Sequence, residues 1–209
     1  GVVCGMLFRK PVVGAGVATG SGTIAFQAAA TTVGEDDLAT LLTLVLTTAP
    51  GNTLESGATL TVNATNGSAE NTDYDSATFP KTVTFTAGQG NGATQTVSFD
   101  PASDTLIEGD ETVTLAIANG SLLTGSGQTN HLVTIRDSDN GTVAFQAATT
   151  TVGEDDPATS LVLVLVTAPG NTLESGATLT VNATNGSAEN TDYDSAAFPK
   201  TVTFTAGQG

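Results

Sequence analysis

Two stretches of this chain have nearly the same sequence. Residues 22–90 return without a gap as residues 141–209, at an offset of 119 positions, and 62 of the 69 aligned pairs are identical. The seven differences fall at positions 24, 30, 38, 41, 43, 47 and 78. A period of 119 residues is too long for a solenoid, whose repeats span about 20–50 residues, so it indicates a string of separate domains. We therefore predict an unassigned tail at 1–21, a complete unit at 22–140 and the N-terminal part of a second, truncated unit at 141–209.

Each unit has the pattern of a series of short strands. Within 22–140, alternating apolar and polar residues between turn residues predict seven strands. They are A at 23–27, B at 41–47, C at 59–65, D at 82–86, E at 94–99, F at 112–117 and G at 132–136. No apolar pattern with helical spacing and caps competes with them. The sequence therefore predicts an all-β fold, an immunoglobulin-like seven-stranded antiparallel β-sandwich, in tandem.

The composition excludes several classes of protein. The chain carries 21 Asp and Glu against 5 Lys and Arg, a formal net charge of −16. This charge disfavours a nucleic-acid binder, because phosphate contacts need clustered basic residues. Cys4 is the only cysteine, so neither a disulfide framework nor a multi-cysteine zinc site can form within the chain. No stretch approaches the ~18 apolar residues of a membrane-spanning helix.

The acids of the complete unit concentrate at one end of the predicted sandwich. If successive strands alternate in direction, the A–B, C–D and E–F loops and the end of strand G share one end. Of the 14 Asp and Glu residues in the unit, 13 fall there and only Glu55 falls at the other end. We call this end the acidic pole. Its acids are Glu35, Asp36, Asp37, Glu70, Asp73, Asp75, Asp100, Asp104, Glu108, Asp110, Glu111, Asp137 and Asp139.

A divalent cation would offset the repulsion at this pole. Two like charges ~4 Å apart cost roughly 1 kcal/mol in water and several times more near a protein surface, and the unit offers only Lys81 and Arg136 in compensation. Ca²⁺ accepts 6–8 oxygen ligands in tolerant geometry, whereas Mg²⁺ prefers fewer protein ligands and transition metals favour His and Cys. We therefore predict calcium, with an acidic surface kept for solubility as the alternative.

Five motifs follow one another in a fixed order along 22–139. They are Gly22-x-Ile-x-Phe with Val33-Gly-Glu35, Asn66-Gly-Ser-Ala69 leading to Asp73-Tyr74, Val83-Thr-Phe85-x-x-Gly88, Asp104-Thr-Leu-Ile-Glu108-Gly-Asp-Glu111, and Val133-Thr-Ile-x-Asp137-Ser-Asp139. As an ordered set they resemble the Calx-beta domain family, and 141–209 resembles a truncated second copy. The resemblance implies a seven-stranded sandwich of the kind found in sodium–calcium exchangers and in large surface or adhesion proteins, with calcium sites at one pole.

The resemblance also implies a set of metal ligands. Ser103 and Ser138 stand where the exchanger pattern has acids, so we expect fewer ions or weaker binding than in exchangers. Of the other acids, Asp36, Asp37, Asp75, Asp100 and Asp110 are expected to be solvated rather than ligating. The implied ligands are Glu35, Asp73, Asp104, Glu108, Glu111, Asp137 and Asp139, with the carbonyl of Leu106 as a backbone donor.

These features predict a calcium-binding structural or adhesive module of a repetitive extracellular or cell-surface protein. Strand G leads into the next unit through 139–141 without a flexible spacer, so calcium is expected to stiffen the domain junction. The expected partners are calcium ions, neighbouring repeats of the same chain, and a cell-surface protein or glycan ligand. The alternatives are inert spacer domains without functional metal, or a regulatory calcium sensor of a membrane transporter.

Catalysis is not expected of this chain. His131 is the only histidine, and no Ser or Asp constellation accompanies it in the sequence, so a surface or strand-start position is the better interpretation. Paired acids such as Glu108 and Glu111 occur in glycosidases, but the chain contains no Trp with which to line a sugar-binding cleft.

Overall fold

The computed structural model describes residues 22–120 and 122–209, and the predicted tail at 1–21 lies outside the described residues. Nearly all regular structure in these ranges is strand, joined by two three-residue 3₁₀ turns at Ser76–Thr78 and Ser195–Ala197. No helix among the described residues has the length and apolar character needed to cross a membrane.

The strands of the first unit are β1 (Gly22–Phe26), β2 (Ala30–Gly34), β3 (Thr40–Thr47), β4 (Ala58–Asn66), β5 (Lys81–Phe85), β6 (Thr94–Phe99), β7 (Leu106–Ile107), β8 (Glu111–Ala118), β9 (Leu123–Gly125) and β10 (Asn130–Arg136). Those of the second unit are β11 (Gly141–Phe145), β12 (Leu163–Thr167), β13 (Thr172–Leu173), β14 (Ala177–Val181) and β15 (Lys200–Phe204).

The first unit is a sandwich of two sheets, as predicted. One sheet has the strand order β6–β3–β1–β9 and the other the order β2–β10–β8–β4–β5. In β3, Leu42, Leu44 and Leu46 are buried while the residues between them are not, because side chains alternate between the two faces of a strand. Phe85 and Phe99 are the largest fully buried side chains of the core. Burial of each such side chain stabilises the fold by about 1.5–3 kcal/mol.

The predicted strand A consists of two strands that belong to different sheets. β1 pairs antiparallel with β3, whereas β2 crosses to the other sheet and pairs parallel with β10. β9, which the sequence pattern does not predict, pairs parallel with β1. The sandwich is therefore antiparallel apart from these two pairings at the edges of the sheets.

His131 holds the chain where it crosses between the sheets. Its Nδ1 lies 2.7 Å from the carbonyl oxygen of Ala28, and its Nε2 lies 2.9 Å from the hydroxyl of Thr31. The ring packs on Phe26 with 5.3 Å between ring centroids. The residue lies at the start of β10, as expected, but it is buried rather than at the surface. This is a structural role.

The second unit forms the same hairpins without the strands that cover them. β11 pairs with β12 and β14 pairs with β15. Phe145 is 49% exposed, whereas its counterpart Phe26 in the first unit is 3% exposed. Likewise Val143 is 38% exposed and its counterpart Ile24 is fully buried. Residues 141–209 thus present half a core to solvent, as expected for a unit without counterparts of β6, β8 and β10.

The two units meet through backbone hydrogen bonds. β13 of the second unit pairs parallel with β7 of the first. The N–H of Thr172 donates to the carbonyl of Thr105 at 3.1 Å, and the N–H of Glu174 donates to the carbonyl of Ile107 at 3.2 Å. Leu173 is buried at this contact. The acid-poor end of the second unit therefore lies on the acidic pole of the first.

Candidate metal centre

The strand pairings bring the acids to one end of the sandwich, as the alternation of strand directions predicts. β3 runs antiparallel to β1 and β6, and β8 runs antiparallel to β4 and β10. The loops after β2, β4 and β6 therefore open beside the end of β10. Contacts between these segments agree, since the N–H of Glu108 donates to Asp137 Oδ2 at 2.6 Å.

Three carboxylates form a close group at the acidic pole. One oxygen each of Glu35, Asp137 and Asp139 lie within 4.8 Å of one another. Glu35 comes directly after β2 and is only 6% exposed. Asp137 and Asp139 follow β10, where the N–H of Asp139 donates to Asp137 Oδ1 at 2.6 Å. Three of the residues implied as ligands are thus side by side.

Ser138 satisfies part of this negative charge. Its N–H and its hydroxyl donate to Glu35 Oε1 at 3.1 and 2.7 Å, and the hydroxyl also lies 2.7 Å from Asp36 Oδ2. One hydroxyl proton serves only one of these oxygens at a time. Hydrogen bonds from Ser103 and Ser138 lower the pKa of Asp36. The serines that replace acids therefore act as hydrogen-bond donors to the acids that remain.

Asp73 and Glu111 form a second group next to the first. Asp73 is 8% exposed and accepts hydrogen bonds from the N–H of Glu70 and the hydroxyl of Thr72. The pKa of Glu111 is raised to about 8, first by burial and then by hydrogen bonding to the Asp73 carboxylate and by its charge. Two acids close together in a partly buried place repel each other, and a cation bound between them would remove that repulsion.

Glu108 connects the two groups of carboxylates. Its backbone is bonded to Asp137, and burial raises its pKa to about 7, with the charges of Glu174 and Asp104 as the next causes. Asp104 caps the start of β7, because its Oδ1 accepts the N–H of Leu106 at 2.7 Å. Leu106 is half-buried in β7. The ligand role of these residues stays a prediction.

The unit's two cations pair with other acids of the pole. Lys81 Nζ lies 2.5 Å from Asp75 Oδ2 and donates to the carbonyl of Ser98 at 2.8 Å. Asp75 is therefore an ion-pair partner on a largely buried lysine, and the expectation that it is solvated is wrong. Arg136 Nε lies 3.9 Å from Asp110 Oδ2, with both side chains more than 60% exposed. Neither cation is paired with the group formed by Glu35, Asp137 and Asp139.

The residues at the pole fit a hard divalent cation. Glu111 Oε2 and Asp139 Oδ2 are buried and have no hydrogen-bond partner among residues 22–120 and 122–209. A buried, unsatisfied carboxylate oxygen is costly, because it loses water without gaining a donor. The implied ligand set consists of oxygens only, which suits Ca²⁺ and does not suit zinc or copper.

Sequence reasoning misses two residues that the second unit brings to the pole. The amide Nδ2 of Asn171 donates to Asp139 Oδ1, and Asn171 is 7% exposed. Glu174 contributes to the raised pKa of both Glu108 and Glu111, after burial. The sequence feature that could have indicated them is Glu55, the counterpart of Glu174 and the one acid of the first unit outside the pole. Because the units are joined without a spacer, the acid-poor end of the second unit faces the acidic pole of the first.

Comparison with known proteins gives one family and several similar folds. The model of the Calx-beta domain family matches residues 18–139 and 136–209. A crystal structure of the apo-form Calx CBD1 domain is 18% identical, with a TM-score of 0.47 over 56% of this chain and 98% of that one. The Calx CBD2 domain is 13% identical, with a TM-score of 0.47 over 57% and 89% of the two chains. CBD12 from CALX1.2 is 19% identical, with a TM-score of 0.46 over 60% of this chain and 48% of that one. No curated protein matches the sequence.

Proposed function

Because the chain belongs to the Calx-beta domain family, we propose that its first unit binds calcium at the acidic pole and that the bound ion stiffens the joint with the second unit. The residues that would hold calcium are Glu35, Asp73, Asp104, Glu108, Glu111, Asp137 and Asp139, with the carbonyl of Leu106. Bound calcium would bring positive charge to Glu35, Asp137 and Asp139, with which neither Lys81 nor Arg136 forms an ion pair among the described residues.

The single observation that carries the proposal is the pair of orphaned oxygens. Glu111 Oε2 and Asp139 Oδ2 are buried without a donor in the part of the chain that the structure describes, and burial without a donor is unfavourable for a carboxylate oxygen. Coordination by a cation would satisfy such oxygens, and one oxygen each of Glu35, Asp137 and Asp139 already lie within 4.8 Å of one another. Solvated surface acids would instead point into water.

The proposed wider role is structural or adhesive, in a repetitive extracellular or cell-surface protein. Support comes from the tandem arrangement of nearly identical units. It also comes from Ser103 and Ser138, which stand where the exchanger pattern has acids and so suit the ~10⁻⁴–10⁻³ M affinity of extracellular calcium modules. A cell-surface protein or glycan is the proposed partner. No catalytic role is proposed, since Calx-beta domains are binding modules.

Thermal unfolding of the full chain tests calcium binding. Melts are recorded in 5 mM calcium and in chelator for the wild type, Glu35→Gln and Glu154→Gln. Glu154 is the repeat counterpart of Glu35 in a unit that contains no counterpart of Asp137 or Asp139, so it is the matched control. If calcium stands at about ten times Kd, the ligand adds roughly 1.4 kcal/mol, a rise of about 5–10 °C for a domain of this size.

The three chains separate the possible outcomes. Binding at the acidic pole is supported if calcium raises the unfolding midpoint of the wild type and of Glu154→Gln but not that of Glu35→Gln. Equal melts with calcium and with chelator in the wild type would instead leave inert spacer domains as the better reading. Small-angle scattering of the same samples then tests the joint, because stiffening narrows the distribution of molecular dimensions when calcium is present.

A further inference from the structure

The joint places a carboxylate of the second unit beside those of the first. Thr172 is in register with Leu106, and Leu173 is in register with Ile107, in a parallel pair. The next position along each segment is Glu174 on one side and Glu108 on the other. Neighbouring strands lie about 4.8 Å apart, and like charges directly opposite each other across strands are destabilising. The metal-free joint thus brings together two acids that repel.

Other contacts hold the second unit in this unfavourable position. Asn171 is 7% exposed and donates its amide to Asp139, one of the acids implied as a ligand. Leu173 is also 7% exposed. The backbone bond from Glu174 to Ile107 fixes the direction in which the segment runs over the pole.

The loop that makes this contact has the same shape in both units. In the second unit, the N–H of Leu173 donates to Gln208 at 2.9 Å and its carbonyl accepts from Gly207 at 2.7 Å. In the first unit the counterpart, Leu54, makes the same two bonds with Gln89 and Gly88, both at 2.8 Å. The loop is therefore formed before docking, and a preformed loop presents its side chains at little cost in conformational entropy.

Glu174 has the chemistry of a ligand rather than of a structural residue. Its side chain is exposed and takes part in no ion pair in the part of the chain that the structure describes. In the parallel pairing Glu174 directly follows Leu173, as Glu108 follows Ile107 in the first unit. Calcium accepts carboxylates from separate segments as well as water, so a solvent-accessible acid at the rim can join the set.

We propose that Glu174 is a calcium ligand that the second unit supplies to the acidic pole of the first, with Asn171 as the positioning residue. The inference rests on the proposed function, because it needs calcium at this pole. It makes the calcium site a shared one: the first unit binds calcium more tightly when the next unit is docked, and by linkage calcium favours docking.

Calcium titration of the full chain tests this assignment, by competition with a fluorescent chelator at low protein concentration. The variants are Glu174→Gln, Glu174→Asp and the matched control Glu55→Gln, which removes the same residue from the same loop at the far end of the first unit. We expect Kd to rise about tenfold or more for both variants at 174, the size of effect seen when groups around a metal are removed. The control should keep the wild-type Kd.

Each other outcome has a distinct meaning. A wild-type Kd in Glu174→Gln would overturn the inference. A wild-type Kd in Glu174→Asp alongside weak binding in Glu174→Gln would also overturn it, because a shortened side chain keeps the long-range charge but not the direct bond. Absence of calcium binding by the wild-type chain would reject the proposed function itself, and this inference with it.

Discussion

Ser138 donates both its backbone N–H and its hydroxyl to one oxygen of Glu35, at 3.1 and 2.7 Å, across the gap between the end of β10 and the loop after β2. The contact gives the buried Glu35 carboxylate two donors from a neutral residue. We therefore expect the charge at position 138 to affect both the stability of the metal-free fold and the proposed binding of calcium.

Ser138→Asp should make the metal-free fold less stable and its binding of calcium tighter. We expect a lower unfolding midpoint in chelator, because a carboxylate replaces a donor beside the buried Glu35, and tighter calcium binding, because the pole gains a charged oxygen. Ser126→Asp, in an exposed turn outside the acidic pole, is the control and should change neither quantity much. Chelator competition and thermal melts measure both. An unchanged calcium affinity in Ser138→Asp would contradict the prediction.

The metal-free protein should lose stability as the pH rises from about 5 to about 8. The pKa of Glu108 is raised to about 7 and that of Glu111 to about 8, in both cases first by burial. The folded state therefore holds protons that the unfolded state has released above its ordinary carboxyl pKa. This contribution is fully present below the unfolded pKa and disappears as the pH passes the folded pKa values.

Urea midpoints of metal-free protein at several pH values check this dependence. Glu111→Gln should flatten the fall in midpoint, because a neutral amide does not titrate, whereas Glu189→Gln, at an exposed position in the second unit, should keep it. A midpoint that rises over this pH range in the wild type would show that the two glutamates are not protonated in the metal-free fold.

His131→Leu should destabilise the first unit without weakening calcium binding. The substitution removes both hydrogen bonds of the buried His131 ring, each of which contributes about 0.5–1.5 kcal/mol. Thr31→Val, which removes only the partner of Nε2, should cost less. Urea unfolding and calcium titration of the same samples separate the two effects. A large loss of calcium affinity in His131→Leu would show that the crossing between the sheets also shapes the pole.

Adding the missing strands should complete the second unit. Gly209 is the counterpart of Gly90, so a second copy of residues 91–139 can follow it directly. We expect Val143, Phe145 and Leu161, which are 38–56% exposed, to become buried as their counterparts are. Binding of an apolar fluorescent dye should fall, and the chain should aggregate less. Unchanged dye binding by the longer chain would contradict this prediction.

The strands and the acidic pole follow from the sequence because both depend on local patterns. Period-2 alternation with turn residues is present in all seven predicted strands, and each has a counterpart in the structure. The division of strand A into β1 and β2 is not predicted, because 27–29 contains no Gly, Pro, Asn or Asp to mark the crossing. Its cause is tertiary, since His131 holds Ala28 and Thr31 from the far end of the unit.

The contribution of the second unit to the pole could not be predicted, because the residues that make it occur in both units. Asn171 and Glu174 have the same neighbours in sequence as Asn52 and Glu55. Local sequence therefore cannot say which copy faces a carboxylate and which faces water. Only the docking of one unit on another distinguishes them.

The pairing of β7 with β13 gives the array of units a direction. The two surfaces that meet in it lie at opposite ends of one repeating unit, so copies join head to tail and a pair never closes on itself, unlike a twofold dimer. Each added copy consumes one exposed end and creates another of the same kind. An array joined in this way would therefore grow in one direction as units are added.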